Sequence, residues 1–170
     1  VQIGVIAPAK TVAHSLYPIT EKLKSQLFFR LIETTATGQV IVFTRTKHRT
    51  KRLFAELEKR KYNTAALQGN MSQNKRTQAI NGFRKGKFDF LVATDIASRG
   101  IDIPEITHVI NYDMPNTVDA YIHRIGRTGR AENLGEAITL SIPEDESMIT
   151  RIEKILKSQI KRKTVNDFSY

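Results

Sequence analysis

The sequence of 170 residues contains no cysteine. Disulfide bonds are therefore excluded, and a reducing compartment such as the cytoplasm fits this composition. Apolar runs are too short to cross a membrane, and no signal-like segment opens the chain. The chain begins with Val1 rather than Met, which is consistent with a piece of a longer protein.

Several motifs that carry chemistry are also missing. The four histidines show no HExxH or Cys-His spacing, so the sequence does not indicate a zinc site. The residues do not support a Ser-His-Asp or Cys-His nucleophile arrangement either. No Gly-x-x-x-x-Gly-Lys-Ser/Thr loop occurs, so the chain has no evident site of its own for a triphosphate and its Mg²⁺.

What the sequence has in excess is positive charge. Lysine and arginine number 27 against 17 acidic residues, which gives a formal net charge of +10 and a pI near 9.9. A surplus of this size predicts attraction to polyanions, and nucleic acid is the first candidate. The length is that of one domain with a sizeable core.

Apolar periodicity predicts strands that alternate with helices. We predict helices over about 21–36, 47–61 and 117–126, a helix from Ser72 to Gly86, and a last helix that begins at Pro143. The predicted strands are Val40–Phe43, Thr64–Leu67, Phe88–Ala93, Thr107–Asn111 and Glu136–Ile142, and Val12–Ile19 is a possible strand that Pro18 would end. This order is typical of an α/β fold with a mainly parallel sheet and helices on both faces. Residues 158–170 are basic and show no pattern.

Ligands of such sheets lie beyond the carboxyl ends of the strands. The residues directly after the predicted strands are therefore the candidates for a site. They are Thr44–Thr46, Gln68–Ser72, Thr94–Asp102 and Asp113–Pro115.

Three arginines lie within residues 123–130. Asn116 can cap the start of the helix that leads into this stretch. The apolar face of that helix is buried, so His123 and Arg127 point to the opposite side. Glycines would end this helix and let Arg130 lie beside Arg127. Two guanidinium groups side by side suit a polyphosphate, because each can donate two hydrogen bonds. A solvated basic turn is the alternative, and the stretch alone does not decide between them.

Residues 91–104 contain a second candidate. The Thr94 hydroxyl and the backbone amides after it could hold a phosphate, and Asp102 could bond ribose hydroxyls. The alternative is an ordinary loop in which Asp95 caps a short helix and Arg99 pairs with Asp102.

Three weaker signals lie at other predicted strand ends. Gln73 and Arg76 share the face of a helix start, where Arg76 could reach a phosphate, but a solvated arginine is the plainer interpretation. Thr44 and Thr46 offer two hydroxyls. Tyr112 and Asp113 follow a strand, and by themselves they are best explained as side chains that satisfy a loop.

Taken together, these stretches resemble the second RecA-like domain of DEAD-box RNA helicases over roughly residues 1–157. Residues 158–170 would be a basic C-terminal tail, whose Phe-Ser-Tyr end is similar to the bacterial RhlE-like branch. The resemblance rests on five motifs in the family's order: Val40–Lys47, Gln73-x-x-Arg76, Ala93–Asp102, Val109–Pro115 and His123–Arg130.

The resemblance implies a role for each motif. Arg127 and Arg130 would be arginine fingers that reach ATP, Asp102 would bond its ribose, and His123 would link the site to the first domain. Mg²⁺ would be held through that absent domain, so we expect the chain alone to be inactive. The residues expected along the RNA backbone are Thr44, Thr46, Gln73, Arg76, Thr94, Arg99 and Gly100.

Two other functions remain open at this point. The charge, the basic 45–61 segment and the basic tail would also suit a non-catalytic RNA-binding module. A DNA-directed motor of the same superfamily is a further alternative, which a comparison of RNA and DNA stimulation would distinguish.

Overall fold

The structure, a computed structural model, describes residues 12–34, 38–99, 106–125 and 135–170. Their strands are β1 (Val12–Pro18), β2 (Gln39–Phe43), β3 (Thr64–Leu67), β4 (Phe90–Ala93), β5 (Ile106–Asn111), β6 (Gly135–Ser141) and β7 (Lys161–Arg162). All seven belong to one sheet with the order β3-β4-β2-β5-β6-β1-β7. Every pairing is parallel, as the sequence predicts.

The α-helices of the described residues are α1 (Lys24–Thr34), α2 (Lys47–Lys59), α3 (Gln73–Arg84), α4 (Val118–Ile125) and α5 (Glu146–Leu156). Short 3₁₀ turns at Glu21–Leu23 and Pro143–Asp145 precede α1 and α5. The predicted helices are therefore confirmed, with ends that differ by a few residues. None of the described helices has the length and apolar character needed to cross a membrane.

Hydroxyl side chains cap the N-termini of three of the described helices. Thr46, Ser72 and Thr117 each accept a hydrogen bond from the backbone N–H three residues later, at 3.2, 3.2 and 3.0 Å. The Ser72 cap is confirmed, whereas the cap expected at Asn116 is wrong. Thr117 takes that position because it directly precedes Val118, where α4 begins.

Helices cover both faces of the sheet. In β2, Val40 and Val42 pack in one cluster with α1 and α2, while Ile41 and Phe43 pack in another cluster with α3. A third cluster places α4 and α5 over β1 and β6. The central strands are consequently buried on both sides, which explains why their sequences are continuous apolar runs.

Residues 158–170 do not behave as the patternless segment that their sequence suggests. Strand β7 pairs with β1, and Ile160 beside it is buried. Val165 and Phe168 pack against the core cluster of α1 and α2. The segment therefore covers the β1 edge of the sheet instead of extending from it.

Candidate functional site

A buried arginine joins the carboxyl ends of the central strands. Arg124 of α4 is only 3% exposed. Its Nε and Nη2 donate to the two carboxylate oxygens of Asp95, at 2.6 and 2.8 Å, just after β4. Its Nη1 donates to Asn111 Oδ1 at 3.1 Å and to the Asp113 carbonyl at 2.9 Å. The guanidinium lies 4.9 Å from the centre of the Phe43 ring, so one side chain fixes the ends of β4, β2 and β5 to α4.

Arg124 is not among the residues predicted from the sequence, because the phosphate-binding role of the basic stretch falls there on Arg127 and Arg130. A usable signal existed. Arg124 follows Tyr121 by three residues, and Tyr121 lies on the buried face of the helix, so the arginine also had to point inward. A buried arginine requires an acidic partner, which directs attention to an aspartate at a neighbouring strand end.

Thr94 and not Asp95 stabilises the turn after β4. The Thr94 hydroxyl accepts from the Ala97 amide at 3.3 Å, and its carbonyl accepts from the Ser98 amide at 3.1 Å. The expectation that Asp95 caps this turn is wrong, since the Asp95 carboxylate is occupied by Arg124. Ile96, in the same turn, has 74% of its surface exposed.

Arg76 joins α3 to this turn. Its guanidinium donates to the carbonyl of Ala97 and, at 3.0 Å, to the carbonyl of Arg99. Gln73, one turn earlier on α3, is exposed. The structure therefore brings the Gln73–Arg76 pair and the Thr94–Arg99 turn together, as expected for one surface. Arg76 is thus not simply a solvated arginine, because its guanidinium stabilises the turn after β4.

Thr44 and Thr46 were both expected to offer a hydroxyl at the end of β2, but only Thr46 does so. Thr44 is buried; its hydroxyl lies 2.6 Å from the Thr50 hydroxyl, so it is not offered at the surface. Thr46 is exposed and caps α2. The difference arises because the Thr44 side chain packs under the first turn of α2, where its hydroxyl is satisfied by the Thr50 hydroxyl and, at 3.4 Å, by the Thr46 carbonyl.

Asp113 is the centre of a buried charge network. It accepts from Arg49 Nη2 at 2.6 Å, from Lys24 Nζ at 3.1 Å and from the Arg45 amide at 2.8 Å. Asp113 and Lys24 are each 1% exposed. The interpretation of Asp113 as a residue that satisfies a loop is confirmed. The network also fixes the backbone of the loop between Thr44 and Thr46.

The partners of Asp113 determine its ionisation. Burial by itself would raise the pKa of this carboxyl, but the hydrogen bond from Arg49, the charge of Lys24 and the Arg45 amide outweigh it and lower the pKa below its usual value. Burial and the Asp113 charge raise the pKa of the adjacent Tyr112 to about 12. Asp113 is therefore held as a carboxylate.

A cleft of about 260 Å³ lies beside the Arg124–Asp95 pair. His123 is exposed at the end of α4 and lines this cleft together with Arg99. Thr117, Asp119 and Ser98 complete its walls. Two residues that the sequence singled out, His123 and Arg99, thus face one space at the carboxyl edge.

Four of the predicted site residues, Gly100, Asp102, Arg127 and Arg130, lie outside the described residues. Their roles remain predictions from the sequence. The described part of the site consists of Thr44, Thr46, Gln73, Arg76, Thr94, Arg99 and His123, to which the structure adds Asp95, Asn111, Asp113 and Arg124.

A parallel sheet with helices on both faces and a polar cleft at its carboxyl edge defines an α/β domain of the RecA-like class. The model of the helicase conserved C-terminal domain matches residues 22–132, nearly two thirds of the chain. The chain therefore belongs to this family, within the DEAD-box group, and the resemblance seen in the sequence is confirmed.

Two relatives illustrate the sequence similarity. The DEAD-box ATP-dependent RNA helicase RhpA of Helicobacter pylori is 43% identical over 149 residues, which cover 88% of this chain and 30% of the relative. The ATP-dependent rRNA helicase RRP3 of Candida glabrata is 39% identical, with coverage of 92% and 32%. The chain thus spans about 30% of the length of the curated relatives that it matches.

Two solved structures share the fold. The E. coli DEAD-box protein SrmB, bound to regulator of ribonuclease activity A, superimposes with a TM-score of 0.86 at 36% identity and 92% coverage of both chains. S. cerevisiae Dbp5, bound to RNA and ADP BeF3, gives a TM-score of 0.86 at 28% identity. The chain covers 42% of that Dbp5 chain and matches over 92% of its own length.

Proposed function

We propose that this chain is the second core domain of an ATP-dependent RNA helicase. It completes an ATP site whose phosphate loop and Mg²⁺ belong to a first domain. Arg127 and Arg130 act as arginine fingers toward the γ-phosphate, and Asp102 bonds the ribose. His123, exposed at the carboxyl edge, links the nucleotide site to the first domain.

The observation that carries this proposal is the anchoring of α4 by Arg124. The Arg124 guanidinium holds the end of this helix over the ends of β4, β2 and β5. In sequence, Arg127 follows Ile125, the last residue of the helix, by only two positions. A rigid helix end is what a transition-state contact requires, because a displacement of about 1 Å can cost about 10²-fold in rate.

Charge stabilisation explains why the domain contributes arginines. In phosphoryl transfer the protein mostly positions groups and neutralises developing charge, and one arginine finger increases the rate by about 10³–10⁵-fold. When these arginines lie on the second domain, hydrolysis waits until the two domains have closed on ATP and RNA. Closure then couples the nucleotide state to the shape of the bound strand, which separates a short duplex locally.

The RNA surface in this proposal is the polar edge formed by α3, the turn after β4 and the loop after β2. Exposed Thr46, Gln73 and Arg99 contact the sugar-phosphate backbone there, together with Thr94 and Gly100. Arg76 holds the turn and Thr44 holds the loop, so these two position the surface from behind. Backbone contacts carry no sequence information, so binding is largely sequence-independent and sensitive to salt. The RNA-bound structure of the related Dbp5 supports this assignment.

A direct test compares the chain alone with the same chain joined to its first domain. We expect negligible ATP hydrolysis by the chain alone and RNA-stimulated hydrolysis by the joined protein. An RNA of mixed sequence should stimulate as well as a homopolymer of equal length, and DNA should stimulate much less. Equal ATP hydrolysis by the two proteins would contradict the proposal.

The charge favours a second candidate, a non-catalytic RNA-binding module. The net charge is +10, and exposed Lys47, Lys51, Arg52 and Lys59 lie on α2. Under this function the joined protein would bind RNA without any stimulation of ATP hydrolysis. The role of the C-terminal charges can be measured with Lys161→Ala and Lys163→Ala, since each phosphate contact that is lost lowers the salt slope by about 1.

A further inference from the structure

A groove of about 1160 Å³ runs along the open edge of the sheet, at strand β3. Helices α2 and α3 pack on opposite faces of the sheet and extend past this strand on either side. The groove therefore has β3 as its floor, α2 as one wall and α3 as the other. The residues that line it include Thr64, Ala65 and Ala66 of the strand.

The floor presents unused backbone groups. Within the described residues, β3 pairs only with β4. The Phe90 amide donates to the Asn63 carbonyl at 3.1 Å, which sets the alternation of this parallel ladder. Ala65 then bonds to β4, whereas the N–H and C=O groups of Thr64 and Ala66 point into the groove. An edge of this kind is a template for another strand.

The walls are mostly apolar, with Gln78 and Asn81 as polar residues on the α3 side. Phe54 and Ala55 of α2 form one wall, and Ala79 and Gly82 of α3 form the other, with Phe88 beside them. Gly82 lies in the last turn of α3, which ends at Arg84. A Cβ at this position would lie 2.5 Å from the Phe88 ring, so glycine is what allows the ring to lie against α3. Alternate side chains of an added strand would meet these two walls.

The rim of the groove is positively charged. Lys51, Lys75, Lys85 and Lys87 lie around it against a single acid, Glu58. In the part of the chain that the structure describes, none of these lysines forms an ion pair, and Lys87 Nζ lies 5.5 Å from the centre of the Phe88 ring. Lysines at an edge repel basic strands and disfavour apolar ones, whose approach would remove water from the ammonium groups. Proteins use such lysines to prevent edge-to-edge aggregation. The same rim attracts a strand that carries acids.

We propose that this groove binds an extended acidic segment of a partner protein, which adds to β3 as a further strand. Its backbone pairs with Thr64 and Ala66, its apolar side chains alternate between the Phe54 and Phe88 walls, and its acids meet the lysine rim. RNA fits less well, because the floor offers amide and carbonyl groups in strand register and the walls are mostly apolar.

The position of the groove makes this binding compatible with the proposed helicase function. Among the described strands, β3 is one of the two edges of the sheet, while the cleft near His123 lies beyond β2, β4 and β5. A partner in the groove would leave that cleft open. The inference goes beyond the proposed ATP and RNA sites, and its test does not depend on them.

The test selects binding peptides of about twelve residues from a random display library against the purified chain. We expect peptides in which a short run of apolar residues is flanked by acidic residues, because consecutive side chains of an added strand meet opposite apolar walls while the acids meet the lysine rim. The best of them, labelled with a fluorophore, then serves as the probe in anisotropy titrations. Ala66→Pro removes the outward N–H but no ladder hydrogen bond, so the fold should survive while the affinity falls by at least about tenfold.

Charge variants provide a second measurement that does not rely on the proline. Lys75→Glu with Lys85→Glu should weaken peptide binding by at least about tenfold. Arg151→Glu with Lys154→Glu, two exposed positions on α5 outside the groove, is the matched control and should leave the affinity unchanged. Circular dichroism and thermal unfolding check each variant, and in an NMR titration the amide of Ala66 should shift.

Three outcomes would overturn the proposal. The library could yield no peptide above background, or the selected peptides could bind Ala66→Pro, folded as the parent, with unchanged affinity. A single-stranded RNA oligonucleotide could also displace the probe and shift the Ala66 amide, which would assign the groove to RNA.

Discussion

At the scale of single residues, Arg124 explains most of the described site. A guanidinium that is 3% exposed must be compensated by hydrogen bonds and charge, and Asp95, Asn111 and the Asp113 carbonyl provide both. The planar fork lets one side chain bond the turn after β4 and the end of β5 at once, while its face lies against Phe43 of β2. A lysine ammonium cannot do so from the same position.

We therefore expect Arg124→Lys to lower the free energy of unfolding by about 2 kcal/mol or more. Urea unfolding of Arg124→Lys, Asp95→Asn and the double variant should give a coupling energy of about 1–3 kcal/mol. Arg151→Lys on the exposed side of α5 is the control and should change stability by less than about 0.5 kcal/mol. An Arg124→Lys effect as small as the control would contradict the anchoring role.

Asp113 provides a prediction about pH. Its pKa is lowered in the folded chain by Arg49, Lys24 and the Arg45 amide acting against burial. The resulting stabilisation is fully present above the unfolded-state pKa of about 3.9 and is lost as pH falls through the lower folded pKa. Asp113→Asn should thus be less stable than the parent at about pH 7, and the difference should shrink as pH falls from about 5 to below 4.

Chemical unfolding at several pH values measures this difference. Asp89→Asn, at an exposed position, is the matched control. A difference between Asp113→Asn and the parent that stays constant over the whole range would show that the carboxylate is not held by its charged partners.

The sequence predicted which strand ends carry polar residues, but it could not assign tasks to the individual side chains. Thr44 and Thr46 look equivalent in sequence, yet only Thr46 is exposed, since α2 covers Thr44. Asp95 looks like a helix cap and instead pairs with an arginine 29 positions later. Such assignments depend on which helix packs over which strand, and local patterns do not contain that information.

At the scale of elements, periodicity predicted the central strands and the helices because each has a long apolar face. Strand β7 could not be predicted from periodicity, because it is only two residues long and both residues are exposed. Its position is held by its neighbours: Ile160 is buried against α5, and Glu153 of α5 accepts from the Ile160 amide at 2.8 Å and from the Arg162 guanidinium. The hydrogen bond from Arg162 lowers the pKa of Glu153, so the acid holds the segment as a carboxylate.

We expect the C-terminal segment to contribute to folding. Ile160→Ala should lower the free energy of unfolding by about 2–5 kcal/mol, because it removes buried apolar volume. Lys161→Ala, the adjacent exposed position, should change it by less than about 0.5 kcal/mol. Denaturant unfolding of the two variants measures both values, and equal small effects would mean that the segment is not part of the folded core.

At the scale of the whole molecule, the sequence predicted the fold class correctly since apolar strands alternate with amphipathic helices along the chain. The absence of a phosphate loop, together with phosphate-seeking arginines, also predicted half of a nucleotide site. What the sequence could not predict is the groove at β3. It exists because α2 and α3 lie on opposite faces of an outermost strand, and only the strand order determines that arrangement.

In the proposed function, this domain completes an ATP site with arginines that follow α4. The most direct test measures RNA-stimulated ATP turnover in the chain joined to its first domain, with Arg127→Ala and Arg130→Ala compared against the exposed control Arg151→Ala. We expect each finger variant to lose at least about 10³-fold in turnover while RNA affinity stays close to that of the parent. Turnover at the parent rate in either variant would contradict the account.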